Sequence, residues 1–391
     1  MVLPLNTIII ILFYAGIFVL IYAFRKKFAF QKVGKIPIIA ILRTNFGIKF
    51  INKIAKKHSK FFKILGYIGM IIGFLGIIAM TFMISSSFVK LFTEPSAPSG
   101  VSPVIPGVKI PGAQIFVPFW YGIISLFIVV VVHEFGHGIV AKAHGFKIKN
   151  TGLVLFAILP GAFVEPDEKK LVKAKKLQQQ SVYAAGPWFN ILLSAVAFLL
   201  IILVISPIHS DLYNSKGFAF ESTDNNSPAM QANMPVNTTY NRIDDTEVYS
   251  FTDMANVLED KQPGDQIIFY TEANETYPII LAQHPEDNSS AYIGIMNIIN
   301  VQGDQTVIQK IAFTIVDIIA SLLYWVFLLS MGIGAANLLP IGPLDGGRML
   351  YTSLKGKFKE KKVKLITTKV TVLVVVFLLS ALLVPIIKAI I

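Results

Sequence analysis

Apolar residues in this chain run in blocks far longer than any amphipathic period. A stretch of about 18 or more is long enough to cross a bilayer core of roughly 30 Å as helix. Six qualify: residues 7–24, 64–84, 117–141, 182–205, 308–336 and 366–391. In the second, Gly66, Gly69, Gly73 and Gly76 form a small-residue face of the kind that packs closely on another helix. Residues 337–354 are also apolar but are interrupted by Pro340, Pro343, Gly346 and Gly347. Broken backbone at membrane depth survives only where protein or water satisfies it, so this stretch is a site candidate. The apolar segment 152–164 is too short to span and contains Pro160 and Gly161, which reads as a re-entrant hairpin. Residues 206–309 change character. Strand-like runs at 217–221, 266–270, 277–281 and 291–296, with helical patterns at 228–233 and 252–259, predict a small α/β domain.

Composition agrees with the pattern. Apolar residues make up 54% and charged residues 15% of the 391, against roughly 25% charged in soluble proteins, so the chain reads as a polytopic α-helical membrane protein. The absence of cysteine excludes disulfides, Cys-ligated zinc, iron–sulfur clusters and Cys nucleophiles, leaving His, Asp and Glu as candidate metal ligands. The net charge of +12 is unevenly placed. From Arg25 to Lys63 there are twelve Lys or Arg and no acid, and further Lys clusters lie at 169–176 and 355–364. The positive-inside rule puts all three in the cytoplasm. The segment from Ser206 to Gln309 has fifteen acidic residues against three basic ones and falls outside. Four N-x-S/T sequons, at Asn225, Asn237, Asn274 and Asn288, lie there as well. The positive charge is therefore juxtamembrane, and the partner it implies is the lipid bilayer, with no nucleic acid.

These boundaries divide the chain into N-terminal spans with a basic cytoplasmic loop (1–90), an external Pro/Ser-rich loop (91–116), a first core part (117–206), the external domain (207–307), a second core part (308–354) and a basic loop with the last span (355–391). The first span is read as a retained helix, since no cleavable signal pattern precedes it.

The third span contains His133, Glu134, Phe135, Gly136 and His137, an HExxH sequence. Positions i and i+4 of a helix share a face, so the two imidazoles can converge on one Zn²⁺ with Glu134 beside the bound water; the alternative is a pair of hydrogen-bonded core histidines. Ionisable residues within a span cost roughly 2.5 kcal/mol or more each and mark function. Lys142 ends the helix on the cytoplasmic side, and at ~1.5 Å per residue His133 lies about 13 Å below it. Two histidines leave a tetrahedral catalytic zinc one protein ligand short. Asp345 is the only acid between Asp317 and Glu360; it either pairs with Arg348 or binds the metal. His144, beside Lys142 and Lys147, reads as interfacial.

HEFGH at 133–137, GAFVE at 161–165, GPWFN at 186–190 and the NxxPxxPLDGG run at 337–347 occur in this order, and together they resemble the site-2 protease family of intramembrane zinc metalloproteases. The resemblance covers residues 117–354. The order strand, short helix, strand, helix, strands in the external segment resembles a PDZ domain, inserted where many family members carry one. The resemblance implies one Zn²⁺ per chain, held by His133, His137 and Asp345, with Glu134 as general base. Asn190 and Asn337 would lie in the active-site cleft, bonding the substrate backbone or the developing oxyanion. Gly161 to Glu165, with Phe163 at the centre, would present a strand edge to an unwound substrate helix. Implied partners are transmembrane proteins already trimmed by a site-1-type protease, in regulated intramembrane proteolysis. The implied address is the cell membrane, or an internal one, with the PDZ-like domain extracytoplasmic and the active site in the membrane toward the cytoplasm. Two other classes are weighed against this. A metal-binding transporter predicts polar residues along the whole bilayer, whereas these cluster at one depth. A non-catalytic scaffold gives Glu134 no task.

Overall fold

The computed structural model describes residues 5–33, 36–94, 101–113, 115–156, 159–284 and 290–390. The sequon at Asn288 and part of the Pro/Ser-rich loop lie outside these. The chain forms two compact units, residues 1–201 with 320–391, and residues 202–319.

The first unit is helical. It begins with α1 (Leu5–Ala23), the strands β1 (Phe28–Val33) and β2 (Ile36–Thr44), and the helices α2 (Ile48–Lys57), α3 (Ser59–Thr93) and α4 (Phe119–Ala143). The strands β3 (Ile148–Phe156) and β4 (Leu159–Pro166) follow, then the short α5 (Glu168–Leu171) and the long α6 (Lys176–Leu200). Among the described residues five helices are long and apolar enough to cross a membrane: α3, α4, α6 with its continuation to Tyr213, α10 (Val307–Asn337) and α12 (Glu360–Ile390). The first predicted span is shorter, a 19-residue helix of about 28 Å at 1.5 Å per residue. The fourth runs past its expected end at 205. A π turn at Ile201–Ile205 carries the helix up to Pro207, whose ring would clash with a carbonyl four residues back in a regular α-helix.

The glycine face of α3 is used as its spacing implies. A Cβ at Gly66 would stand 2.7 Å from a Val140 methyl, at Gly69 2.7 Å from the Trp188 indole, and at Gly76 2.4 Å from a Leu338 methyl. The helix is therefore in contact with α4, α6 and the broken segment, a closeness that larger residues would prevent.

The basic loop holds more than charge. Its strands β1 and β2 join β3 and β4 in one antiparallel sheet of order β1-β2-β3-β4, with Arg43 opposite Gly152 and Gly152 opposite Phe163. The expected hairpin at 152–164 is thus half of a larger sheet, with β4 at its edge. Gly152 has no alternative there, since a Cβ would meet the Leu42 carbonyl at 2.1 Å. Amphipathic α2 buries Ile51 and Ala55 in the cluster that contains Ile139, Val140, Val182 and Ala185, and leaves its lysines outward.

The second unit contains α7 (Ser206–Tyr213), β5 (Ser215–Thr223), α8 (Pro228–Gln231), β6 (Tyr240–Ile243), β7 (Thr246–Glu247), α9 (Phe251–Glu259), β8 (Gln266–Thr271) and β9 (Thr276–Ile280). It is completed by β10 (Ala282–Gln283), β11 (Ala291–Tyr292) and β12 (Ile295–Gln302). The main sheet has the order β12-β5-β6-β8-β9, with β7 on β6. Inward residues of β5, β6, β8 and β9 (Phe218, Phe220, Tyr240, Ile243, Ile267, Phe269, Ile279) build its core with Ala229 and Met254 from the two helices. Ser227 and Ser250 cap those helices, accepting from Met230 N and Asp253 N.

Candidate active site

The site is assembled from three helices of the first unit. On α4 the i, i+4 spacing puts His133 and His137 on one face, ring centroids 4.9 Å apart. The third contributor is α11 (Asp345–Leu354), which begins immediately after the Pro-rich turn. Its glycines explain how that turn lies so tightly on the helix start: a Cβ at Gly346 would meet the Leu338 carbonyl at 2.2 Å, and one at Gly347 the Ile341 carbonyl at 2.1 Å. Asp345 is the first residue of the helix, where the aligned peptide dipoles favour a negative charge.

The three side chains form a nearly equilateral triangle. His133 Nε2 lies 3.1 Å from Asp345 Oδ2, His137 Nε2 lies 3.3 Å from the same oxygen, and the two Nε2 atoms are 3.2 Å apart. Ligand atoms about 2.05 Å from a tetrahedral zinc are separated by roughly 3.3 Å. Protons shared pairwise satisfy the edges one at a time, whereas one central dication satisfies all three. A second observation tests the fit. Gly186 on α6 faces the triangle, and a Cβ there would stand 2.3 Å from His137 Nε2 and 2.5 Å from His133 Nε2. The chain keeps the space beside both nitrogens clear. His137 Nδ1 donates to the Val182 carbonyl at 2.7 Å, which turns the Nε2 lone pair toward the triangle. The residues therefore fit a bound zinc. Asp345 has no ion pair with Arg348, which lies instead over the Tyr183 ring at 5.8 Å.

Glu134 lies next to the triangle without joining it. Its Oε2 accepts a hydrogen bond from the Val164 N–H of edge strand β4 at 3.0 Å. It lines a cavity of about 540 Å³ together with His133, His137, Phe163, Asn337 and Asp345. A second cavity of about 350 Å³, walled by Phe127, Phe135 and Phe163, meets the first at Glu134. Gly161 sits on β4, where a Cβ would press on Val154 at 2.9 Å. Asn337 faces the larger cavity and donates to the Ile333 carbonyl at 2.9 Å. Asn190 is placed differently from Asn337: it is fully buried, with its amide nitrogen 3.0 Å from His133 Nδ1. Gly186 and Val182 were not singled out from sequence as site residues, and Val164 only as part of the edge segment 161–165. The spacing of Gly186 and Asn190, i and i+4 within GPWFN, was the available signal that both face one way.

The profile of peptidase family M50 matches residues 121–378, more than half of the chain. The chain belongs to peptidase family M50, the site-2 protease family. An uncharacterized protein of Methanocaldococcus jannaschii is 27% identical over 354 residues, 90% of this chain and 86% of that protein. A membrane-bound transcription factor site-2 protease homolog of Arabidopsis thaliana is 30% identical over 92 residues, 23% of this chain and 18% of that protein. Membership in M50, together with five apolar helices, makes this chain a multi-pass membrane metalloprotease.

Proposed function

We propose that this M50 peptidase is a zinc endopeptidase that cuts transmembrane segments of other membrane proteins inside the bilayer. The observation that carries this reading is the triangle of His133, His137 and Asp345, held on apolar helices beside the Glu134 carboxylate and a cavity. When bound, zinc supplies a Lewis acid that acidifies a water and polarises the scissile carbonyl. Glu134 takes the proton from the attacking water and returns it to the leaving amine. Asn337, in the cavity wall, orients the substrate backbone or bonds the developing oxyanion. The outer edge of β4, within Gly161 to Glu165, pairs with the substrate after its helix has unwound, because the scissile carbonyl must first lose its helical hydrogen bond.

Charge supports the orientation. The basic clusters face the cytoplasm, Lys142 puts the HExxH helix end there, and the acidic α/β unit is extracytoplasmic. The order of strands and helices in that unit supports a PDZ-like reading, with a role as filter or reader of substrates trimmed by an earlier protease. The address read from this is the cell membrane. Purified chain, assayed for zinc and for cleavage of a single-pass substrate, tests the proposal. Wild type should contain one zinc and cleave. Glu134→Gln should keep the zinc and lose cleavage by roughly 10²–10⁴-fold; full activity in that variant would refute the mechanism.

A further inference from the structure

Asn190 is a fully buried amide in the middle of α6, and two contacts from α10 hold it in position. Ser330 Oγ donates to the backbone carbonyl of Asn190 at 2.8 Å, and Gly334, one turn further along α10, approaches so closely that a Cβ there would lie 3.1 Å from Asn190 Cβ. The side chain does not line the active-site cavity. Among the described residues its side chain's one hydrogen-bonding neighbour is His133 Nδ1 at 3.0 Å, and its Oδ1 is buried without a partner. A residue so placed has no reach to a substrate, yet it touches a ligand of the metal triangle on the side away from it.

We propose that Asn190 is a positioning residue of the metal site: its amide oxygen accepts a hydrogen bond from His133 Nδ1–H and so keeps the Nε2 lone pair directed at the position shared with His137 and Asp345. The inference rests on the zinc reading above. Its logic is the tautomer. A metal-bound imidazole must carry its proton on the other nitrogen, and that proton needs an acceptor. For His137 the acceptor is the Val182 carbonyl, which can do nothing but accept. For His133 the neighbour in that place, among the described residues, is the Asn190 amide. The two ends of an amide differ by a half-turn about the last side-chain bond and are nearly alike in shape. With nitrogen toward His133, the amide stabilises the tautomer protonated on Nε2, which donates to Asp345 and closes the site to a cation. With oxygen toward His133, Oδ1 gains the hydrogen bond it lacks and Nε2 is freed. Binding of zinc selects the second arrangement, so the amide can follow the site between its empty and loaded forms. The competing account makes Asn190 an amide donor, either to the substrate oxyanion or to the His133 Nδ1 lone pair.

The accounts separate on two substitutions in the full-length purified chain. Zinc affinity is measured by competition with a chelator, and cleavage of a single-pass substrate is measured as kcat and KM at saturating zinc. Asn190→Leu, close in shape but without an acceptor, should weaken zinc about 10–100-fold, with kcat largely restored once zinc is saturating. Asn190→Asp, which only accepts when ionised, should rescue zinc affinity to near wild type. The proposal is overturned if Asn190→Leu binds zinc as wild type does, or if Asn190→Asp loses zinc as severely as the leucine variant. Should the leucine variant fail to fold, the aspartate variant alone decides: zinc affinity about 10-fold or more below wild type would overturn the proposal. A wild-type chain that binds no zinc would overturn the zinc reading itself. Wild-type zinc binding with unaltered variants would overturn only the role of Asn190.

Discussion

Substitution of Gly186 by alanine adds one methyl group to the chain at the place where the site has least room. The added Cβ would lie 2.3 Å from His137 Nε2 and 2.5 Å from His133 Nε2, where ordinary contact begins at 3.4 Å. The overlap is about 1 Å on both atoms, and α6 cannot retreat freely because Gly66, Gly69 and Gly136 already hold it against α3 and α4. The imidazoles must therefore turn by a comparable distance. Metal sites tolerate about ±0.2 Å in ligand distance, so the affinity for zinc should fall at least ~100-fold, or about 2.8 kcal/mol. Overpacking adds a stability cost of roughly 1–3 kcal/mol. Gly332→Ala is the control, since a Cβ there meets nothing within 4 Å and the change favours helix by roughly 1 kcal/mol. The assay is chelator competition for zinc in both variants, with thermal unfolding in parallel. A folded Gly186→Ala protein with wild-type zinc affinity would refute the placement of the ion among these nitrogens.

Asp345→Ala should lower zinc occupancy as well as cleavage, because it removes one of three protein ligands; wild-type zinc content by metal analysis would mean the third ligand is elsewhere. His144, just past the end of α4, is hydrogen-bonded to Ser181 Oγ at 2.8 Å, and burial, with Lys63 nearby, holds its pKa down to about 4 from the ordinary 6.5. Between those values the unfolded chain takes up a proton that the folded chain refuses, so stability should fall as pH drops through that window. Thermal unfolding of His144→Gln across it should show a flatter dependence, and an unchanged slope would remove His144 as the cause. A protease-cleavable tag inserted at Gly264 should be cut from outside intact cells and one at Lys361 protected; the reverse would invert the topology.

The spans and the histidine pair were legible in the sequence because both are local properties. Bilayer thickness imposes a length on any apolar helix, and i, i+4 spacing alone brings His133 and His137 to one face. The small-residue face of α3 was legible for the same reason, and it does meet α4 and α6. The role of Asp345 was different. Sequence left it between Arg348, three residues away, and a metal 212 residues before it. Only the packing of α11 against α6, which itself packs on α4, brought its carboxylate to both histidines. The basic loop shows the same limit from the other side. Its charges are visible in the sequence, but β2 lies between β1 and β3, and β3 comes more than 100 residues later in the chain, so no window along the sequence contains that second partner. The strands β6, β7 and β10 are two to four residues long, too short for alternation to be seen. Asn190 carries the point to the site itself: its residue type and spacing suggested a polar contact, and burial behind His133, set by Ser330 and Gly334 of a helix 140 residues later, decided which one.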